Sequence, residues 1–221
     1  MALIDNLVSY YKLETNSNDI VSWYNWTDTS ISYVSWKIGN AASFNWSSSL
    51  INLPSSIDSQ VSTAISWCWW VYFNTVAGAQ YIYVLNNADS PEVRIINSAW
   101  VISFLIYDSW AYQCNISSTT TLVASWWYYI SCTWTTNDFK LYINWTQEAT
   151  GTSWSFNIDW APTHSLWYYS SAPTQKLNWR LDEVGIWSRA LTAWEVTQLY
   201  NWWSGLAYPL SSWNSNFFMF F

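Results

Sequence analysis

Glycine is scarce in this 221-residue chain: there are five, where an average usage of about 7% would supply roughly 15. Charge is scarce as well. Only 10% of residues are charged, 14 acidic against 7 basic, for a net charge of -7. Nucleic acid and anionic membrane both call for a basic face, so neither is expected as the main partner. No apolar run reaches the ~18–20 residues of a transmembrane helix. No charged leader with a cleavage site precedes the first strand-like segment, so no signal peptide is expected. Cysteine is limited to Cys68, Cys114 and Cys132, an odd number without a Cys-x-x-Cys pair, which argues against zinc. Cys68 and Cys132 lie in apolar runs and read as small core residues. His164 is the single histidine, and no Gly-x-Ser-x-Gly elbow surrounds a serine, so nucleophilic catalysis has little support. His164 reads as a loop residue making a local hydrogen bond.

What the chain has in excess is tryptophan, 22 residues. Five follow Asn (Trp26, Trp46, Trp145, Trp179, Trp202), seven follow Ser (Trp23, Trp36, Trp67, Trp110, Trp126, Trp154, Trp213), and Trp160 follows Asp. In these 13 places Asn-Gly, Ser-Gly or Asp-Gly would mark a turn. Asn-Gly itself, the strongest short hairpin signal, is absent. A Cβ in left-handed backbone costs roughly 1–2 kcal/mol per residue, so half of these positions at φ > 0 would carry about 10 kcal/mol of strain. That rivals the ~5–15 kcal/mol stability of a whole domain. One reading is an aromatic-rich surface that stacks on carbohydrate. The other is that most of these tryptophans stand where the functional protein has glycine, as an alternative genetic code would produce for a codon such as UGA. Trp70, Trp127 and Trp187 lie inside apolar strand patterns and read as true tryptophans. The remainder as glycine would bring that residue to about 24, a normal content for a turn-rich β protein.

Short strand-like runs recur between turn signals: Leu7–Leu13, Leu50–Leu53, Ala64–Phe73, Tyr81–Leu85, Val93–Ile96, Val101–Tyr107, Trp127–Thr133, Phe139–Ile143, Ser165–Tyr169 and Arg180–Trp187. Several alternate with the period of two of a sheet with one buried face. This predicts an all-β, jelly-roll sandwich of two antiparallel sheets. One short C-terminal helix is expected. Thr192-Ala193-Trp194-Glu195 is a capping box, and Val196, Leu199 and Tyr200 form an apolar stripe suited to packing across the sandwich edge. No linker divides the chain, so residues 1–210 read as one domain. The apolar tail 211–221 follows, as a final strand or an interface with a neighbouring chain.

Several segments resemble the laminin-G-like, concanavalin A-like lectin/glucanase domains. Leu7-Val8-Ser9-Tyr10-Tyr11-Lys12-Leu13-Glu14 with Asn18-Asp19 is similar to their opening strand and loop. Lys37 to Asn45 looks like their Gly-Ala-Phe strand, and Ala64-Ile65-Ser66 leading to Trp70-Val71 resembles the strand that follows. Trp127-Tyr128-Tyr129-Ile130 with Lys140-Leu141-Tyr142-Ile143-Asn144 resembles a later strand pair, Trp145 standing where the family has glycine. Leu181-Asp182-Glu183-Val184-Gly185-Ile186-Trp187-Ser188-Arg189-Ala190-Leu191-Thr192 closely matches the family's closing motif and helix. The resemblance covers roughly residues 7–203. It implies binding of a glycan or surface protein rather than catalysis, in an extracellular or virion-associated phage or bacterial structure. A virion decoration protein contacting its own or other subunits is the alternative.

The resemblance also implies one structural Ca2+, since domains of this type often carry calcium between the N-terminal loop and the closing strand. By position the ligands are Glu14, Asp19 and Asp182, oxygen donors suited to a hard cation. The bland alternative has Asp182 and Glu183 as strand-end acids paired with Arg180 or Arg189. Glycoside hydrolysis is the enzymatic rival, but it needs two carboxylates across a cleft. Asp182 and Glu183 are adjacent and point to opposite faces of a strand. Asn25, Asn45, Asn115 and Asn144 each open an Asn-x-Ser/Thr sequon, three of them also at Asn-Trp sites where turn chemistry comes first.

Overall fold

The computed structural model describes residues 1–36, 38–45, 47–60, 64–86, 92–98, 100–108, 111–135, 137–152, 163–166 and 178–210. In chain order its strands are β1 (Leu7–Tyr11), β2 (Thr27–Thr29), β3 (Ser32–Trp36), β4 (Gly39–Ser43), β5 (Leu50–Leu53), β6 (Ile65–Phe73), β7 (Gln80–Asn86), β8 (Glu92–Ser98), β9 (Val101–Asp108), β10 (Ala111–Ser117), β11 (Trp126–Thr135), β12 (Asp138–Ile143), β13 (Thr146–Gly151), β14 (Thr163–Leu166) and β15 (Trp179–Trp187). The helix α1 (Ala193–Tyr200) follows. One sheet has eight strands in the order β13-β12-β11-β6-β15-β4-β3, with β1 beside β15. The other has seven, β10-β9-β8-β7-β14-β5-β2. Their pairings are antiparallel, the two-sheet jelly-roll sandwich that the sequence predicts.

Period-two alternation places the core. Along β6, Trp67, Trp69, Val71 and Phe73 enter the cluster between the sheets. Cys68 and Trp70 join a second cluster on the outer face of the eight-stranded sheet. On β11, Tyr128, Ile130, Cys132 and Trp134 face inward while Trp127 and Tyr129 face outward. Both faces of the central strands are therefore apolar, and the outer one needs a cover. Helix α1 supplies it: Val196, Leu199 and Tyr200 pack with Trp70, Trp127 and Tyr129. The helix thus lies on a sheet face and not across the sandwich edge, because large apolar side chains at alternate positions of β6 and β11 leave that face uncovered otherwise. The capping box is formed: Thr192 Oγ1 accepts from the Glu195 amide at 3.3 Å, and Glu195 Oε2 accepts from the Thr192 amide at 2.8 Å. Cys68 and Cys132 are fully buried free thiols, as core residues should be. His164 falls on a strand, β14, and not in a loop; its side chain lies outside the described residues, as does the tail 211–221.

The tryptophans divide into two groups. Trp100, Trp202 and Trp203 take left-handed backbone at φ 73, 50 and 76°. Trp145 is the second residue of the two-residue turn joining β12 to β13, after Asn144 at φ 60°. These match the expectation that written tryptophans mark bends. Trp67, Trp69, Trp134 and Trp179 do not, since strand alternation carries them into the inter-sheet core. Trp26 is buried just before β2. Trp46, Trp110, Trp154, Trp160, Trp167 and Trp213 lie outside the described residues.

Candidate functional site

The acids of the closing motif sit where one strand exchanges neighbours. Arg180 and Leu181 of β15 pair with Ser43 and Ala42 of β4, whereas Val184 to Trp187 pair with β1. Between them the register against β6 shifts, and Glu183 takes a left-handed φ of 49°. Both acids are buried at this bulge, Glu183 against Tyr10, whose hydroxyl also reaches Leu206 O. Asp182 is fully buried; its Oδ1 accepts from the Glu183 amide at 2.9 Å and its Oδ2 has no partner. Glu183 Oε2 accepts from the Tyr10 hydroxyl at 2.5 Å, and its Oε1 has no partner. Burial, then the Glu183 charge, pushes the Asp182 carboxyl up to about 10 against the pull of the Glu183 amide. Burial raises Glu183 to about 7, with the Tyr10 hydroxyl and Lys12 opposing and Glu14 reinforcing. Among the described residues neither acid pairs with an arginine. Arg189 instead grips Glu195 with two hydrogen bonds of 2.9 and 2.7 Å, and holds the N-terminus through Asp5 O at 2.9 Å.

The other two predicted calcium ligands are committed elsewhere. Asp19 accepts from the amides of Tyr10, Val21 and Tyr24 at 3.0, 3.0 and 3.3 Å, which folds the loop after β1 around its carboxylate. Glu14 Oε2 accepts from the Asn40 amide at 2.7 Å. Its carboxylate lies over Gly39, where an added Cβ would sit 2.1 Å from Oε1. Among the described residues no three acids, histidines or cysteines are grouped to hold a metal ion. Asp19 is held by backbone amides, whereas Glu14 lies within electrostatic reach of Asp182 and Glu183, whose Oδ2 and Oε1 keep no partner.

Two aromatic features lie on the surface. Around the C-terminal end of α1, the rings of Trp145 and Tyr200 are 4.9 Å apart, Trp145 and Trp202 6.5 Å, and Trp126 and Trp203 5.3 Å. At the β9–β10 hairpin, Tyr107 and the exposed Tyr112 form an edge-to-face pair at 5.3 Å. The sequence reading named neither, because an exposed aromatic in a strand pattern looks the same as a core one.

Asn45 and Asn144 stand at turns, as expected of Asn-Trp sites, whereas Asn115 lies within β10. Asn45 Oδ1 accepts from the amides of Ser47, Ser48 and Ser49, and Asn144 Oδ1 accepts from the Tyr129 amide.

A family model described as the concanavalin A-like lectin/glucanases superfamily, laminin G type, matches residues 45–197. The chain belongs to that superfamily. Among solved structures it is similar to domain 4 of AbnA, a GH43 extracellular arabinanase from Geobacillus stearothermophilus in complex with arabinotriose. That match has 20% identity and a TM-score of 0.76 and covers 89% of this chain and 98% of the other. It is also similar to the binding domain of Paraclostridial Mosquitocidal Protein 1, with 21% identity, a TM-score of 0.74, and 91% and 53% covered. A structure of botulinum neurotoxin type C, whose cell entry is described as dependent on two ganglioside molecules, matches at 13% identity and a TM-score of 0.69, with 89% and 51% covered. The chain spans about half the length of these two toxin chains. A comparison with curated protein sequences finds no match. Among the described residues no helix is long and apolar enough to cross a membrane.

Proposed function

We propose that this lectin-like domain is a non-catalytic carbohydrate-recognition module of an extracellular bacterial or phage surface structure. The observation that carries the reading is the placement of the acids in a fold that lectins and glucanases share. Hydrolysis requires two carboxylates facing a substrate cleft. The closing-motif pair is adjacent in sequence, buried, and bound to Tyr10 and its own backbone. The three fold neighbours support the reading: a domain solved with arabinotriose and two toxin structures, one a binding domain and the other tied to gangliosides. Helix α1, Leu3 and the segment from Leu206 to Leu210 cover the outer face of the eight-stranded sheet. Recognition then falls to the other sheet and its loops, where the Tyr107–Tyr112 pair offers ring faces to a sugar.

A glycan array that includes arabino-oligosaccharides and ganglioside headgroups tests this, with reducing-sugar release measured in parallel. The expected result is binding to at least one sugar class and no release. Sugar release would make the protein a glycosidase. Absence of binding together with self-association in solution would favour a structural subunit, and tail or capsid genes beside the coding gene would place it in a virion.

A further inference from the structure

We infer that the protein made in its own cell carries glycine at a defined subset of the positions written here as tryptophan. Three features of the structure select seven of them, and the eighth, 145, is chosen by its place in a two-residue hairpin after Asn144. The first is backbone conformation. Trp100, Trp202 and Trp203, at φ 73, 50 and 76°, share the left-handed region with the true glycines Gly39, Gly78 and Gly205, at φ 84, 77 and 72°. Trp202 and Trp203 extend a left-handed run that Asn201 begins at φ 47° after α1. Only glycine enters that region without steric cost.

The second is ring crowding. Aromatic pairs settle with centroids about 4.5–7 Å apart. Trp36 and Trp127 are at 3.4 Å, Tyr11 and Trp26 at 3.7 Å, and Trp67 and Tyr83 at 3.9 Å while tilted by 53°. Each of these pairs contains one tryptophan that follows Ser or Asn. The third is the indole N–H. Those of Trp26, Trp36, Trp67, Trp69 and Trp179 are buried without a partner, a condition that folded proteins avoid, and all of these but Trp69, which follows Cys68, also follow Ser or Asn. The unpaired N–H of Trp127 lies beneath Trp36, and removing that indole opens it to water.

True tryptophans behave differently in the same molecule. Trp187 donates to Leu3 O at 2.7 Å. Trp134 stands 5.7 and 6.3 Å from Phe104 and Phe139, so it stays a tryptophan although a wholesale replacement would include it. The assigned glycines are therefore 26, 36, 67, 100, 179, 202 and 203, together with 145 in its two-residue hairpin. A single codon with two meanings accounts for all of them at once. The consequence for function is direct: the indole cluster at the end of α1 vanishes, and the ligand must bind elsewhere.

Peptide mass spectrometry of the protein isolated from its own cells tests the inference, across Ile143–Thr146 and Leu199–Gly205. Glycine at 145, 202 and 203 is the expected result, and tryptophan at those positions overturns it. A recombinant comparison gives a second readout. The chain with glycine at the eight positions should melt at a higher temperature than the chain as written, with Trp187→Gly in that background lowering it. A lower melting temperature for the eight-glycine chain would overturn the assignment.

Discussion

Replacing Asp182 by asparagine probes how the closing strand tolerates its two buried acids. The carboxyl is pushed up to about 10 by burial, then by Glu183, so the folded protein keeps a proton that the unfolded chain releases near its ordinary value of about 3.9. The sign follows from proton linkage. The folded state binds more protons between those two values, so stability is full below about pH 4 and falls as pH rises towards about 10. One pH unit is worth about 1.4 kcal/mol, so between about pH 4 and 7 the upper bound on the loss is about 4 kcal/mol. Glu183, raised to about 7, loses stability in the same direction over the lower part of that window. Asparagine keeps the shape, carries no charge, and its Oδ1 can still accept from the Glu183 amide. Urea denaturation followed by tryptophan fluorescence across this window should show a steep parent and a flatter Asp182→Asn variant that is the more stable of the two at neutral pH. A variant that is less stable at neutral pH, with an unchanged pH slope, would refute the reasoning. So would a parent whose midpoint rises with millimolar calcium while the variant's does not, because a cation would then satisfy the orphan oxygens in place of a proton.

Gly39→Ala should cost more than the roughly 1–2 kcal/mol of left-handed strain, because its Cβ also drives the Glu14 carboxylate off the Asn40 amide; thermal melting would show it, and a loss within a few tenths of a kcal/mol would contradict the close approach. Thr192→Ala should remove about 1 kcal/mol of stability by uncapping α1, whereas Glu195→Ala should cost more by also stranding the largely buried Arg189; equal losses in chemical denaturation would argue against the second role. Tyr112→Ala should abolish or strongly weaken sugar binding at unchanged melting temperature, since the ring is exposed and pairs only with Tyr107 among the ring contacts of the described residues; unchanged binding would move the ligand off this hairpin. Trp203→Gly relieves about 1–2 kcal/mol of left-handed strain but gives up ring contacts with Trp70 and Tyr200, so its melting temperature should rise by less than that strain implies, and a fall would count against glycine at 203.

The sandwich is legible in the sequence because alternation survives in the long central strands. The runs at Ala64–Phe73, Trp127–Thr133 and Arg180–Trp187 became β6, β11 and β15, which carry the buried faces. The strands that periodicity misses are β2, β3, β4, β10 and β13, with burial patterns that are polar or mixed, and of these only β4 is marked by the family resemblance. Thr27–Thr29 and Thr146–Gly151 contain no large apolar residue, and their pairing is dictated by neighbours. The capping box at Thr192 and Glu195 is legible because both partners lie within one turn. The fate of the acids is not. Asp19 looks like a free loop carboxylate until the loop is seen to wrap three amides around it, and Asp182 looks exposed at a strand end until the bulge at Glu183 turns it inward.

That bulge also bears on the proposed function. β15 must serve β4 at one end and β1 at the other, and an irregular residue has to absorb the change of neighbour. Glu183 does so in left-handed backbone, anchored by Tyr10 from β1, so the most recognisable motif of the chain is a joint between strands. A joint of this kind is constrained by packing and has no freedom to adapt to different ligands. The part of the molecule free to vary is the hairpins and loops of the seven-stranded sheet, beyond the cover of α1. A rigid sheet that carries exposed hairpins and loops at its rim can position a binding site there. Whether an aromatic on that rim contacts sugar is settled by Tyr112, which owes nothing to the identity of the disputed tryptophans.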